Sequence, residues 1–180
     1  GDFLVARGRD DEGLQQYAKA REIQPENQIP LMKAVEVHLA RKEYDQAEGY
    51  VQEILTKNPQ SLEGHYLKGR LHLAKRELDA AVTELQQVIK EKPDFAQAHY
   101  LLGLAYFGKG ELQSAQAELL ASWQRLCKAG LGQARAMAVL ADGRGQGAAS
   151  LGTGADLGRL LRAADEDLVP ALAHAFERQA

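Results

Sequence analysis

The fold of this chain is decided by residues 62–93, which read LEGHYLKGRLHLAKRELDAAVTELQQVIKEKP. The apolar residues of this stretch recur at intervals of three and four positions: they are Leu67, Leu71 and Ala74, then Leu78, Ala81, Leu85 and Val88. Such spacing places one apolar stripe on each of two helices. The polar turn Lys75-Arg76-Glu77 separates the stripes, and Pro93 stops the second helix because it lacks an N–H donor. The stretch therefore predicts a helical hairpin.

The same unit repeats along the first two thirds of the chain. Pro25, Pro59 and Pro93 are evenly spaced, and a fixed period of about 34 residues indicates a repeat architecture. Alignment on the prolines brings similar residues into columns: Gly13, Ala47, Ala81 and Ala115; Tyr17, Val51, Leu85 and Leu119; and, just after each turn, Tyr44, Leu78 and Leu112. We assign a partial repeat to residues 1–25 and full repeats to residues 28–61, 62–95 and 96–129.

Two motifs in these units resemble the tetratricopeptide repeat (TPR) family. They are His65-Tyr66-Leu67-Lys68-Gly69 with Ala81 and Pro93, and His99-Tyr100-Leu101-Leu102-Gly103-Leu104-Ala105-Tyr106 with Gly110 and Ala115. Residues 28–59 depart from the pattern, since Ala34-Val35 stands where the family usually has Leu-Gly. The resemblance implies an all-α fold, a TPR-type α-α superhelix that is a right-handed solenoid of helical hairpins. Gly1 falls in the column of Gly69 and Gly103, so we expect the natural protein to continue upstream.

Composition excludes several classes of protein. A single cysteine rules out an intramolecular disulfide. The net charge of −3 and the pI near 6.0 argue against a nucleic-acid partner, because binding of a phosphate backbone needs a basic field. No apolar run approaches the roughly 18 residues of a membrane helix, so we predict no direct membrane insertion. The compartment stays open between the cytoplasm and the bacterial periplasm.

The pattern changes in residues 130–180, which are rich in glycine and alanine. A repeat array needs an atypical last unit to cover its final apolar face. We therefore predict atypical C-terminal capping helices in this region, interrupted by a flexible loop at residues 142–154. The Gly-rich stretches in and around that loop superficially resemble phosphate loops, but Thr153 stands where that motif requires lysine.

The sequence contains no convincing catalytic or metal-binding constellation. His38 and His72 share one column of the repeat, and His65 and His99 share another. Neither cysteines nor clustered carboxylates accompany them, and the family usually has large aromatic rings in these columns. We therefore expect core packing rather than a zinc site, and we predict a protein that is not an enzyme, with no metal and no cofactor. Glutamates such as Glu84 and Glu118 are expected to be surface charges.

The resemblance implies a concave groove lined by the first helix of each repeat, which binds protein or peptide segments. The residues expected to face the groove are Met32, Glu36, Leu39, Tyr66, Arg70, Leu73, Tyr100, Leu104 and Phe107. Chaperone-binding members of the family hold a terminal carboxylate with Lys, Asn and Arg at groove columns, and here most of those columns are apolar. We therefore expect apolar anchors in the partner, although any of these rings could instead fill a gap between repeats.

The sequence favours a protein–protein interaction scaffold or adaptor, and it diffusely resembles bacterial TPR proteins of envelope assembly, secretion or exopolysaccharide export. Two other interpretations stay open. One is the regulatory part of a larger enzyme. The other is a self-association module, a homo-oligomer in which the groove receives part of a second copy.

Overall fold

The computed structural model describes residues 1–128, and the predicted capping helices and the loop at 142–154 lie outside that part of the chain. The described residues form helices joined by turns and contain no β-strand, so the all-α fold class is confirmed. The helices are α1 (Asp2–Val5), α2 (Asp10–Ile23), α3 (Ile29–Ala40), α4 (Tyr44–Lys57), α5 (Leu62–Ala74), α6 (Leu78–Glu91), α7 (Ala96–Gly108) and α8 (Leu112–Lys128). They belong to two compact units, one spanning Gly1–Glu91 and one beginning at Lys92. The boundaries assigned to the individual repeats stay predictions.

The turn inside each hairpin depends on one residue with left-handed backbone. These residues are Gly8, Lys42, Arg76 and Gly110, each one repeat period after the last, and their φ angles are +74°, +60°, +65° and +78°. In each turn the next residue donates its N–H to a carbonyl five positions earlier, as Glu43 does to His38 and Glu77 to His72, both at 2.9 Å. This hydrogen bond satisfies a carbonyl that the end of the first helix leaves without a partner.

The connection between hairpins begins where the sequence pattern places it. Helix α4 ends at Lys57, and Asn58 is extended with φ −140° and ψ 91° because the following proline disfavours helical backbone. Ser61 then caps α5, since its hydroxyl accepts a hydrogen bond of 3.1 Å from the N–H of Gly64.

The two helices of a hairpin approach closely at one pair of columns. A β-carbon on Gly69 would lie 2.8 Å from Cγ of Leu85, and one on Gly103 would lie 2.8 Å from Cγ of Leu119. Each glycine thus makes room for a leucine.

The unit with the unusual Ala34-Val35 motif solves the same packing problem differently. Val35 occupies the column of Gly69, and Val51 occupies the column of Leu85. Both valines are at most 2% exposed and belong to one core cluster. The larger residue on the first helix is thus matched by a smaller one on the second helix.

One core cluster of the first unit runs from α3 through α4 to α5. Its buried members are Leu31, Val35, Leu39, Ala47, Val51, Ile54, Leu67 and Leu71. In the second unit, Leu101, Leu102 and Ala105 of α7 and Ala115 of α8 are buried. The small-residue column predicted at the helix crossing is buried, with Ala47 and Ala81 0% exposed and Ala115 2%. Small side chains permit the close approach of paired helices.

Candidate functional site

In the first unit, four of the expected groove residues lie on helices α3 and α5, which pack against each other. We call Met32, Glu36, Tyr66 and Arg70 the first-helix face. Met32 and Tyr66 are partly buried and pack against the core cluster. Glu36 is also partly buried, and its carboxylate accepts a hydrogen bond of 3.2 Å from Lys33.

Two other expected groove residues of this unit are deeply buried. Leu39 is 0% exposed and is a member of the core cluster, and Leu73 is 3% exposed. The sequence pattern alone could not show that these leucines belong to the core and not to the groove. On a helix, a shift of one position is enough to move a side chain from the buried stripe to the adjacent face.

In the second unit, the remaining three residues lie on α7, one repeat period after their counterparts on α5. Tyr100, Leu104 and Phe107 are partly buried. Burial raises the pKa of the phenol groups of Tyr100 and Tyr66, so both stay neutral across the physiological range. A neutral tyrosine offers a large apolar surface with one polar tip.

The most unusual residue of the first-helix face is Arg70. It is 2% exposed, and among the described residues none of its guanidinium nitrogens has a hydrogen-bond partner. Its guanidinium carbon lies 5.8 Å from the centroid of the Tyr66 ring, within range of a cation–π interaction. Burial lowers the pKa of the guanidinium, whereas Tyr66 and Glu36 act in the opposite direction. The sequence pattern places Arg70 at the flank of an apolar stripe and carries no signal that it is buried.

The histidines hold helices together. Nδ1 of His65 lies 2.6 Å from Oε2 of Glu84 on α6, and Nδ1 of His99 lies 2.5 Å from Oε2 of Glu118 on α8. His38 is 8% exposed, stacks on Tyr50 and pairs with Glu43 at 2.7 Å. The described residues contain no group of three or more His, Cys, Asp or Glu side chains placed to hold a metal ion.

The carboxylate partners of these histidines differ from the sequence-based expectation of simple surface charges. A signal for the pairing exists in the sequence, because Glu84 and Glu118 are separated by the same repeat period as His65 and His99. A glutamate that recurs in step with a histidine is a candidate for a structural contact inside the hairpin rather than for an isolated surface charge.

Two family models match the chain, and both are described as tetratricopeptide repeats. One covers residues 4–71 and the other residues 66–130. No curated protein matches the chain in sequence. Among the helices of residues 1–128, none combines the length and the apolar character that a membrane crossing requires.

Solved structures with a similar fold include two TPR-type proteins from bacteria. The thermophilic TPR protein TTC0263 of Thermus thermophilus is 23% identical with a TM-score of 0.64, over 98% of this chain and 95% of that chain. MamA 41-end from Desulfovibrio magneticus RS-1 is 19% identical with a TM-score of 0.63, over 98% of this chain and 87% of that chain. A further MamA structure is 23% identical with a TM-score of 0.56, over 78% of this chain and 90% of that chain. At these identities the likeness concerns the fold alone. Because the two repeat models together cover residues 4–130, the chain belongs to the tetratricopeptide repeat family.

Proposed function

We propose that this chain is a non-enzymatic scaffold that binds peptide segments of other proteins along the first helices of its repeats. TPR proteins bind protein partners, and the family is typically non-enzymatic. The contacts we assign to the partner are those of the first-helix face, with Tyr100, Leu104 and Phe107 in the second unit. Leu39 and Leu73 are buried, and we assign them no contact with the partner.

The observation that carries the proposal is the placement of Met32 and Tyr66. Both side chains rest on the core cluster and yet are not fully covered by it. A side chain held in this way has lost much of its rotamer freedom before a partner arrives, which reduces the entropic cost of binding. Tyrosine is also among the residues that dominate binding energy at protein interfaces.

We further propose that the chain acts in a bacterial system for envelope assembly, secretion or exopolysaccharide export. This assignment is supported by the diffuse resemblance of residues 1–125 to bacterial TPR proteins of these systems. It would be tested by identifying the proteins that the chain captures in its native host.

The binding role is tested with a random library of 12-residue peptides displayed on phage, panned against the purified chain. We expect enrichment by the wild-type protein and its loss in the double variant Tyr66→Ala, Tyr100→Ala, while circular dichroism shows unchanged helicity. The matched control is Tyr50→Ala, because Tyr50 lies on the second helix α4 and stacks on His38, with ring centroids 5.4 Å apart.

Enrichment by the double variant equal to that of the wild type would remove Tyr66 and Tyr100 from the site.

Light scattering over a range of concentrations distinguishes a scaffold from a self-association module. A strictly monomeric protein that still enriches peptides supports the scaffold, whereas concentration-dependent oligomers that exclude peptides support self-association.

A further inference from the structure

The guanidinium group of Arg70 is a buried positive charge with no hydrogen-bonded partner in the described part of the chain. Its side chain is 2% exposed, and Nε, Nη1 and Nη2 make no hydrogen bond to any described residue. Arginine presents five N–H donors in a planar fork, so an arginine in this state leaves all of them unsatisfied. Burial of a charge is costly unless the charge is paired and hydrogen-bonded.

The neighbouring acid does not satisfy Arg70. Glu36 is near enough to act on the guanidinium electrostatically, but its carboxylate is held by Lys33 at 3.2 Å. The Tyr66 ring, with its centroid 5.8 Å from the guanidinium carbon, offers a π face and makes no hydrogen bond to the fork. A residue that lowers the stability of the free protein in this way is characteristic of a binding site rather than of a folding element.

We propose that Arg70 receives the side-chain carboxylate of an aspartate or glutamate within a bound peptide segment, with apolar residues of that segment on either side of it. The proposal rests on the proposed function, because it assumes that peptides occupy the first-helix face. A carboxylate matches the guanidinium fork with two parallel hydrogen bonds, and pairing in a site shielded from water strengthens them.

The surroundings of Arg70 define the ligand more closely. Met32 and Tyr66, the apolar and neutral members of the first-helix face, favour apolar residues beside the acid. Glu36 would repel a dianion more strongly than a monoanion, so a carboxylate is favoured over a phosphate group. This arrangement differs from the family's clamp for a terminal carboxylate, in which several basic and amide side chains surround one chain end.

The test compares peptide selection by the wild-type chain, Arg70→Met and Arg70→Lys, using the random 12-residue library. The control is Arg76→Met, which removes an exposed arginine of the same repeat. We expect the wild type and the control to enrich peptides with Asp or Glu at one fixed position between apolar residues. Arg70→Met should lose that preference, and Arg70→Lys should keep it with weaker binding, because an ammonium group cannot form the paired hydrogen bonds.

A selected peptide then allows a double-mutant cycle, measured by fluorescence anisotropy. We expect Arg70→Met to weaken binding of the acidic peptide by about tenfold or more. The same peptide with its acid replaced by the corresponding amide should bind wild type and Arg70→Met equally. The melting temperature of Arg70→Met should be equal to or above that of the wild type, since an apolar side chain replaces an unpaired buried charge.

Three outcomes would overturn the assignment. Enrichment of apolar peptides without an acidic position would refute the role of Arg70 and leave the proposed function intact. Tighter binding of the phosphoserine form of the peptide than of the acidic form would identify a phosphate, and not a carboxylate, as the group that Arg70 binds. Failure of the wild-type chain to enrich any peptide would refute the proposed function itself, and this proposal with it.

Discussion

The imidazole of His65 is hydrogen-bonded through both of its nitrogens. Nδ1 lies 2.6 Å from Oε2 of Glu84 on α6, and Nε2 lies 3.0 Å from the carbonyl oxygen of Pro59, in the connection that precedes α5. The arrangement recurs in the next repeat, where His99 lies 2.5 Å from Glu118 and 2.9 Å from the carbonyl oxygen of Pro93. One polar residue thus joins the two helices of a hairpin to the preceding turn.

The His65–Glu84 pair predicts that the stability of the protein depends on pH. Burial acts to raise the pKa of Glu84, but hydrogen bonds from Lys68, at 2.6 Å, and from His65 outweigh it and lower the pKa below its ordinary value of 4.5. Because its pKa is lower in the folded state, the ionised Glu84 carboxylate stabilises the folded protein above pH 4.5. This contribution is lost as the pH falls through the pKa of Glu84 in the folded state. We expect Glu84→Gln to cost about 0.5–1 kcal/mol at pH 7, after allowance for solvent screening, and less at low pH.

The measurement is urea unfolding of Glu84→Gln and wild type at several pH values between about 3 and 7. The control is Glu91→Gln, because Glu91 is an exposed glutamate of the same helix. A stability difference between Glu84→Gln and wild type that stays constant over this range would contradict the assignment.

Two glycines of the first unit predict opposite effects of the same substitution. A β-carbon on Gly69 would lie 2.8 Å from Cγ of Leu85, so Gly69→Ala forces this part of the core apart and should cost about 1–3 kcal/mol. Gly49 lies exposed in α4 with no described atom within 4 Å of its β-carbon position. Gly49→Ala should therefore stabilise the protein by about 0.5–1 kcal/mol through helix propensity alone. Thermal unfolding measures both, and a loss of stability in Gly49→Ala would indicate a contact that the structure does not contain.

The sequence predicted the positions of the helices better than it predicted the roles of polar residues. Helices α4, α6 and α8 begin at the expected column of Tyr44, Leu78 and Leu112, because period and turn residues determine where a helix starts. The burial of Arg70 could not be predicted, since arginine is rarely buried without a partner and its depth depends on tertiary packing. For a similar reason, no local pattern shows whether a histidine in an aromatic column stacks or forms a hydrogen bond.

The left-handed turn residues predict two stabilising substitutions. Lys42 and Arg76 adopt positive φ angles of 60° and 65°, where the equivalent residues of the other hairpins are glycines. A β-carbon disfavours this conformation, so Lys42→Gly and Arg76→Gly should each stabilise the protein by about 0.5–1 kcal/mol, net of the greater chain entropy of glycine when unfolded. The reverse substitution, Gly110→Ala, should destabilise it by a similar amount. Differential scanning calorimetry measures all three, and a lower melting temperature of Lys42→Gly would show that its side chain contributes more than the strain it causes.

Val35 and Val51 predict a pair of substitutions that compensate each other. They occupy the columns in which the other hairpins pair Gly69 with Leu85 and Gly103 with Leu119. Val35→Gly alone leaves a cavity and a flexible helix position, at a cost of about 2–4 kcal/mol. Val51→Leu alone overpacks the core by about 1–3 kcal/mol, because Val35 fills the space that the longer side chain needs.

In the double variant the leucine enters the space that the glycine opens. We therefore expect the double variant to lose less stability than the two single variants lose together, by at least about 1 kcal/mol. Urea unfolding of the four proteins gives this coupling energy directly. The control cycle combines Val35→Gly with Val88→Leu, a buried valine on α6, where the two effects should add to within about 0.5 kcal/mol. Additive effects of Val35→Gly and Val51→Leu would mean that the two columns do not share one packing volume, and the match between Val35–Val51 and Gly69–Leu85 would then be coincidental.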